Sequence, residues 1–223
     1  EKWETLSFWQ GLREFAPGRL SKRYAIKSSK STDWLVPENY VPVAGEELQS
    51  IDFPVREAFG EGVQIEYEVE HLGGMIKVVK PSQVMTTRAD VRQMADKSNA
   101  QLQWCLSLIN PGIAAPDEVP KGVWKSTLRD ITFYNHQHMT PLELIRFSTG
   151  SQASLRFKNK GRAHVAFSWV HEDENVGVGS RQWVDAMRLR FTLSNDRVQN
   201  LLHQEAIQRG MRPVYFQHLV KQL

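Results

Sequence analysis

The chain has 223 residues, a formal net charge of +3, 41% hydrophobic residues and 24% charged residues. These values are ordinary for a globular protein of one large or two small domains, and the mild positive charge is compatible with a nucleic-acid partner. The single cysteine, Cys105, excludes an internal disulfide framework and fits a reducing intracellular or organellar compartment. No apolar run approaches the roughly 20 residues that a membrane span needs, so we expect no membrane partner. Because the chain starts at Glu1 and not at methionine, a targeting segment upstream of it is an open expectation.

Residues 1–59 predict an N-terminal extension. The apolar stripe from Trp3 to Phe15 predicts a helix, which Pro17 and the glycine after it would end. Beyond this helix the sequence has no clear period, and basic residues stand among serines and prolines. Since a long irregular segment is unusual inside a compact domain, we interpret 1–59 as a helix followed by an irregular arm.

Residues 60–118 predict a first α+β unit. Alternating apolar residues over 63–80, interrupted by a pair of glycines, predict a β-hairpin. The spacing over 89–95 then predicts a short helix, and the alternation over 102–108 predicts a strand. Residues 119–127, which contain a proline and a glycine, predict a linker.

Residues 128–223 predict a second α+β unit. It would begin with a strand at 131–133 and a helix at 141–147, because proline at the first helical position favours a helix start. A strand at 153–158 and a partner strand at 165–169 follow. The fold class predicted for the whole chain is therefore α+β, with two small units and an N-terminal arm.

The remainder of this second unit is less regular. Residues 171–180 predict a loop, and 183–193 fit a capped helix and an alternating strand equally well. Residues 196–209 predict a further helix that ends before Gly210, and 214–220 predict a final strand.

The strand at 153–158 carries the strongest functional signal. Its apolar residues alternate with Arg156 and Lys158, and the segment beyond it adds Lys160 and Arg162. A basic strand tip on a packed support is typical of a phosphate-binding surface. The alternative is a solvated hairpin whose charges have no function, because runs of charge are most often exposed faces.

The order of these motifs resembles the translation initiation factor 3 family, in a divergent and organellar, for example mitochondrial, form. In the first unit the matching segments are 74–79, 89–95 and 102–106, followed by Asn110-Pro111. In the second unit they are Asp130-Ile131-Thr132-Phe133, Ile145-Arg146-Phe147, Gly150, Leu155-Arg156-Phe157-Lys158 and Ala163-His164. The resemblance covers about residues 63 to 164.

The resemblance implies a protein that is not an enzyme and needs no cofactor, metal or small-molecule substrate. Its partners would be the RNA and proteins of the small ribosomal subunit, where it would block premature subunit joining and favour correct pairing of initiator tRNA with the start codon. Arg146 matches the arginine at the end of the family's helix. The full set of residues expected to bind RNA is Arg146, Arg156, Lys158, Lys160, Arg162, Arg188 and Arg190.

Three other functions are compatible with parts of the sequence. The segment 160–167 also resembles the third strand of an RNA-recognition motif, although Arg162 and His164 stand where that motif has aromatic residues. A structural subunit of a ribonucleoprotein is a further alternative. Metal-dependent nucleases have an acidic and lysine set that is loosely similar to Asp52, Glu66, Glu68 and Lys77. Glutamates that alternate on a strand are, however, expected to face solvent.

Overall fold

A computed structural model describes residues 5–23, 33–89, 94–95, 98–110, 115–119, 121–122, 128–136 and 141–192. The helices are α1 (Phe8–Glu14) and α2 (Val55–Phe59). The strands are β1 (Asp33–Trp34), β2 (Leu48–Pro54), β3 (Ile65–His71), β4 (Gly74–Val79), β5 (Thr87–Arg88), β6 (Asn99–Asn110), β7 (Ala115–Asp117), β8 (Leu128–Tyr134), β9 (Leu142–Arg156), β10 (Arg162–His171), β11 (Glu174–Val184) and β12 (Ala186–Phe191). The described chain is mostly β, so the predicted α+β class is wrong.

The chain divides into two compact units that interleave in sequence. Unit 1 comprises Glu1–Ile109 and Leu144–Gln182, and unit 2 comprises Asn110–Glu143 and Trp183–Leu223. These boundaries differ from the predicted 60–118 and 128–223, because the chain leaves unit 1 and later returns to it. The predicted N-terminal extension belongs to unit 1, where it supplies both helices and two strands.

Unit 1 is built on one curled sheet with the strand order β2-β10-β9-β11-β4-β3, and β6 pairs with β9 beside this path. β10 runs antiparallel to β9 and parallel to β2, while β4 runs parallel to β11 and antiparallel to β3. The sheet thus joins strands that the sequence assigned to two separate units. The fold that the initiation-factor resemblance implies is therefore not the fold of the described chain.

The predicted helix at 141–147 is the first half of β9. Leu144, Ile145 and Phe147 are all buried, and so are several residues that follow them. A central strand that buries both of its faces lacks the alternation that marks a half-exposed strand, and its apolar run looks the same as a helix segment. The helix was predicted for this reason.

The predicted loop at 171–180 is a β-hairpin between β10 and β11. His171 pairs with Glu174, and the two residues between them, Glu172 and Asp173, have positive φ values of 49° and 65°. Positive φ at both central residues is the conformation of a tight two-residue hairpin turn. The sequence predicts a loop here because the segment is polar and the two central residues of the turn include no glycine.

The main core lies on one face of the curled sheet. Phe53 of β2 stacks on Trp169 of β10 with ring centroids 5.3 Å apart, and Phe59 of α2 contacts the same indole at 5.1 Å. Leu12 of α1 and Phe15, which directly follows α1, are buried in this core as well. A fully buried side chain of this size contributes about 1.5–3 kcal/mol, so residues 5–23 and 33–59 are part of the folded unit and not an arm.

Unit 2 contains a three-stranded sheet with the order β12-β8-β7, all antiparallel. The strand interpretation of 187–193 is thus the correct one of the two alternatives for the described residues up to Phe191. The predicted helix at 196–209 and the final strand at 214–220 lie outside the described residues. Residues 90–93 of the predicted helix at 89–95 also lie outside them, and Met94 forms an isolated β-bridge.

Candidate nucleic-acid interface

Four of the seven basic residues predicted from the sequence lie at the turn between β9 and β10. The N–H of Phe157 donates to the carbonyl of Gly161 at 2.9 Å, and the N–H of Lys160 donates to the carbonyl of Phe157 at 3.1 Å. The N–H of Gly161 also donates to Oδ1 of Asn159 at 3.0 Å. This local network fixes the conformation of the turn and the places of the lysines on it.

Near this turn β9 and β10 each have one face toward the core and one face toward solvent. Leu155 and Val165 are buried, whereas Arg156, Arg162 and His164 are exposed on the other face. We define the basic tip as these three exposed residues together with the exposed turn residues Lys158 and Lys160. Five basic or titratable side chains therefore share one end of the hairpin.

Two features of the basic tip are unfavourable for folding. Arg156 lies directly opposite Arg162 in the strand register, and like charges at such positions repel each other. Lys160 has a φ of 69°, a left-handed conformation that costs a residue with a side chain about 1–2 kcal/mol. Three other residues in turns of the described chain also have positive φ values, so the opposed arginines are the more distinctive of the two features.

The backbone beneath the basic tip is firmly held. The N–H of Arg156 donates to Oγ of the buried Ser98 at 2.8 Å, and the Ala95 N–H donates to the carbonyl of Arg156 at 2.7 Å. On the other strand, the N–H of Gly45 donates to the carbonyl of Arg162 at 2.8 Å. The basic side chains thus project from a backbone that is anchored on both edges.

Carboxylates stand near the basic tip but leave its cations unpaired. Glu46 and Glu47 follow Gly45 directly, so they belong to the same end of the hairpin. Within the described part of the chain, no arginine or lysine of the basic tip forms an ion pair with them or with another acid. Their charge lowers the local positive potential, and the four cations remain free to contact a ligand.

Arg146 does not join the basic tip. Its guanidinium lies 5.3 Å from the ring centroid of Trp9 and 4.3 Å from that of Trp104, and it is half-buried between the two rings. We call this arrangement the tryptophan stack. It connects α1 to β6 and β9, so the geometry gives Arg146 a structural role in place of the expected RNA contact.

Arg188 and Arg190 lie in unit 2, on β12. Nε of Arg190 is 3.1 Å from Oδ2 of Asp130, and a terminal nitrogen of Arg188 is 3.9 Å from Oδ1 of the same carboxylate. Both arginines share the charge of one acid on the adjacent strand. The structure therefore places the seven predicted residues in three different environments, and only one of these leaves its cations unpaired.

A second candidate site was not expected from the sequence. Residues 68–72 at the end of β3 and 106–109 of β6 line an open groove of about 510 Å³. At one end of the groove, Sγ of Cys105 lies 3.8 Å from Nε2 of His71. Burial raises the pKa of the Cys105 thiol, which disfavours the thiolate that a cysteine nucleophile needs. The one sequence feature that indicates this groove is the alternation of glutamates from Glu66 to Glu70 on β3.

The described residues contain no cluster of three or more histidine, cysteine, aspartate or glutamate side chains that would hold a metal ion. In the nuclease-like set, Glu66 and Glu68 are exposed on β3, and Lys77 pairs with Glu174 at 2.6 Å. Within the described part of the chain no helix has both the length and the apolar character that crossing a membrane requires. The compartment of the protein stays a prediction.

The chain matches no protein-family model, and neither a curated protein nor a solved structure is significantly similar to it. Its function must therefore be inferred from the fold and from the two sites described above.

Proposed function

We propose that this protein is a non-catalytic RNA-binding protein that contacts the phosphate backbone through the basic tip. The observation that carries the proposal is the directly opposed pair Arg156 and Arg162, flanked by Lys158 and Lys160, with no acidic partner among the described residues. A polyanion would relieve the repulsion within this cluster, so the binding free energy would include that relief.

Phosphate contacts fit the chemistry of the basic tip better than base recognition does. Sequence-specific binding of single-stranded RNA commonly relies on aromatic side chains that stack on bases, and the basic tip carries no aromatic side chain on its exposed face. Contacts from arginine and lysine to phosphate position a ligand but do not distinguish its sequence. We therefore expect affinity that depends on charge and length and hardly on sequence.

The more specific activity that the resemblance implies is not part of this proposal. Binding of the small ribosomal subunit and control of subunit joining rest on two α+β units, an architecture that the described residues do not have. The alternative from the sequence, a structural or RNA-binding subunit of a ribonucleoprotein, is compatible with a rigid mostly-β unit that presents one basic hairpin.

The test compares two variants that each remove two positive charges. K158A/R162A changes the basic tip, and R188A/R190A changes the arginines that share Asp130 in unit 2. Affinity for a fluorescently labelled single-stranded RNA is measured by anisotropy at fixed salt. We expect K158A/R162A to weaken binding by about tenfold, since each lost phosphate contact is worth a few-fold at moderate salt.

The control variant R188A/R190A should retain most of the affinity. Two RNAs of equal length and different sequence should bind the unmodified protein within a factor of about two of each other. Equal affinity of the unmodified protein and K158A/R162A would contradict the proposal, and a stronger loss in R188A/R190A would move the binding site to unit 2.

A further inference from the structure

The groove between β3 and β6 lies at an opening in the curled sheet. Hydrogen-bonded neighbours lead from β6 through β9, β11 and β4 to β3, so these two strands are the ends of one path. The ends approach each other again at Cys105 and His71, which are 3.8 Å apart. From this contact the groove continues along residues 68–72 on one side and 106–109 on the other.

Both walls of the groove have free backbone edges. In the described sheet β3 pairs only with β4, and β6 pairs only with β9. Unpaired edges bind an additional extended chain readily, because its N–H and C=O groups complete the hydrogen bonding of the sheet. The walls span four to five residues each, about 15 Å of extended chain at roughly 3.3 Å per residue.

The side chains along the groove specify what kind of strand fits. On the exposed face, Glu68 and Glu70 stand on one wall, while Leu106 and Leu108 stand on the other with 66% and 63% of their surfaces exposed. Lysine and arginine can lay an apolar stem over leucine and direct the charged end to a carboxylate. Glutamates on one wall and leucines on the other therefore favour long basic side chains at alternate positions of the incoming strand.

The inner face of the groove is apolar and favours apolar side chains in a bound strand. Val69 is buried against Ile76, Val78 and Phe147, and the half-buried Cys105 packs on the same cluster. A residue of the incoming strand that points inward would extend this cluster. The alternation of basic and apolar residues follows from the period of two that every extended strand has.

From these four observations we propose that the groove between β3 and β6 binds an extended segment of a partner protein, in which lysine or arginine alternates with apolar residues. The segment adds as a strand between β3 and β6 and closes the sheet. Glu68 is already near Lys77, its cross-strand neighbour, so Glu70 should supply the larger part of the charge recognition.

The probe is a labelled seven-residue peptide in which lysine alternates with valine, added to the full chain. We expect saturable binding that weakens at least tenfold when the same residues are ordered with the lysines consecutive. N-methylation of alternate backbone nitrogens, which removes donors without changing charge, should weaken binding to a similar extent. Equal binding of all three peptides would overturn the proposal, because it would show charge attraction alone.

Protein variants locate the site. E68Q/E70Q should weaken binding of the alternating peptide about tenfold, whereas E66Q, on the same strand but outside the groove lining, should change it less than twofold. All three positions are exposed, and thermal unfolding verifies that each variant folds. Undiminished binding by E68Q/E70Q would contradict the assignment. Sedimentation equilibrium without peptide tests whether a second copy of this chain occupies the groove. A dimer that E68Q/E70Q abolishes would show that the groove binds another copy of the chain and would overturn the proposal of a partner segment.

Discussion

Arg146 and Arg156 stand on the same strand, β9, and have opposite surroundings. Arg146 is half-buried between Trp9 and Trp104, whereas Arg156 is exposed and faces a second arginine across the hairpin. In the sequence both follow an apolar residue and precede a phenylalanine. The difference shows that the role of a cation is decided by neighbours that are distant in the chain, here α1 and β6 for Arg146 and β10 for Arg156.

The change expected to have the largest effect is Gly150→Ala, between these two arginines. A Cβ atom at this position, where φ is 154°, would lie 1.8 Å from the carbonyl oxygen of Phe167, so the paired strands must move apart. We expect a loss of about 2–4 kcal/mol in the free energy of unfolding. Chemical denaturation measures this loss, and a change below 1 kcal/mol would show that β9 is not continuous through Gly150.

Arg146→Ala should have the next largest effect, on stability alone. Removing the guanidinium from the tryptophan stack should cost about 1–3 kcal/mol, since a cation–π contact is worth more when it is partly desolvated. The control is Arg146→Lys, which keeps the charge but lacks the planar group that stacks on both rings. RNA affinity should be unchanged in the folded fraction of both variants, and a specific loss of affinity would return Arg146 to the RNA-binding set.

Lys160→Gly should raise the stability of the fold and lower the affinity for RNA. Glycine tolerates the positive φ of this position, so the free energy of unfolding should rise by about 1 kcal/mol. RNA affinity should fall a few-fold because one phosphate contact is lost. Denaturation and anisotropy are measured on the same sample, and a variant that is neither more stable nor weaker in binding would show that the left-handed lysine is unrelated to function.

The smallest effect concerns the reactivity of Cys105. Burial raises the pKa of its thiol above the ordinary value of 9.0, so the thiolate fraction at neutral pH is lower than in a free cysteine. Alkylation by iodoacetamide should be slow at pH 7 and should accelerate by about tenfold per pH unit until the raised pKa is reached. The thiol has a higher pKa in the folded protein than in the unfolded chain. Its contribution to the free energy of unfolding is therefore present at low pH and is lost as the pH rises through the raised pKa of the folded protein. Fast alkylation at pH 7 would contradict this account.

The sequence predicted the strands in which apolar and polar residues alternate. The hairpin at 63–80 is confirmed as β3 and β4, the strand at 102–108 lies within β6, and the pairing of 153–158 with 165–169 is confirmed in β9 and β10. In the two pairs of strands one face is buried and the other is exposed, so the alternation is visible in the sequence. On β6 the strand was predicted but not its buried face, because Leu106 and Leu108 of that alternation are exposed. The same alternation gave the basic residues around Arg156 their correct common face.

The remaining fold depended on contacts that the sequence does not reveal. Buried residues on both faces of β9 give an apolar run like that of a helix, and the first central residue of the β10–β11 turn is Glu172, a type that rarely adopts a positive φ. The parallel pairing of β2 with β10 joins segments that are more than a hundred positions apart, so the first 59 residues had no visible partner. The groove between β3 and β6 was hidden for the same reason, because its walls meet only when the sheet curls.

The central claim, that the basic tip contacts RNA phosphates, is tested most directly by the salt dependence of RNA binding. For the unmodified protein the logarithm of affinity should fall with the logarithm of salt concentration with a slope of up to about 3, the value for four phosphates of a single strand. The variant R156A/K158A/K160N/R162A should have a slope near zero, whereas R146K should retain the original slope. An unchanged slope in the fourfold variant would contradict the claim.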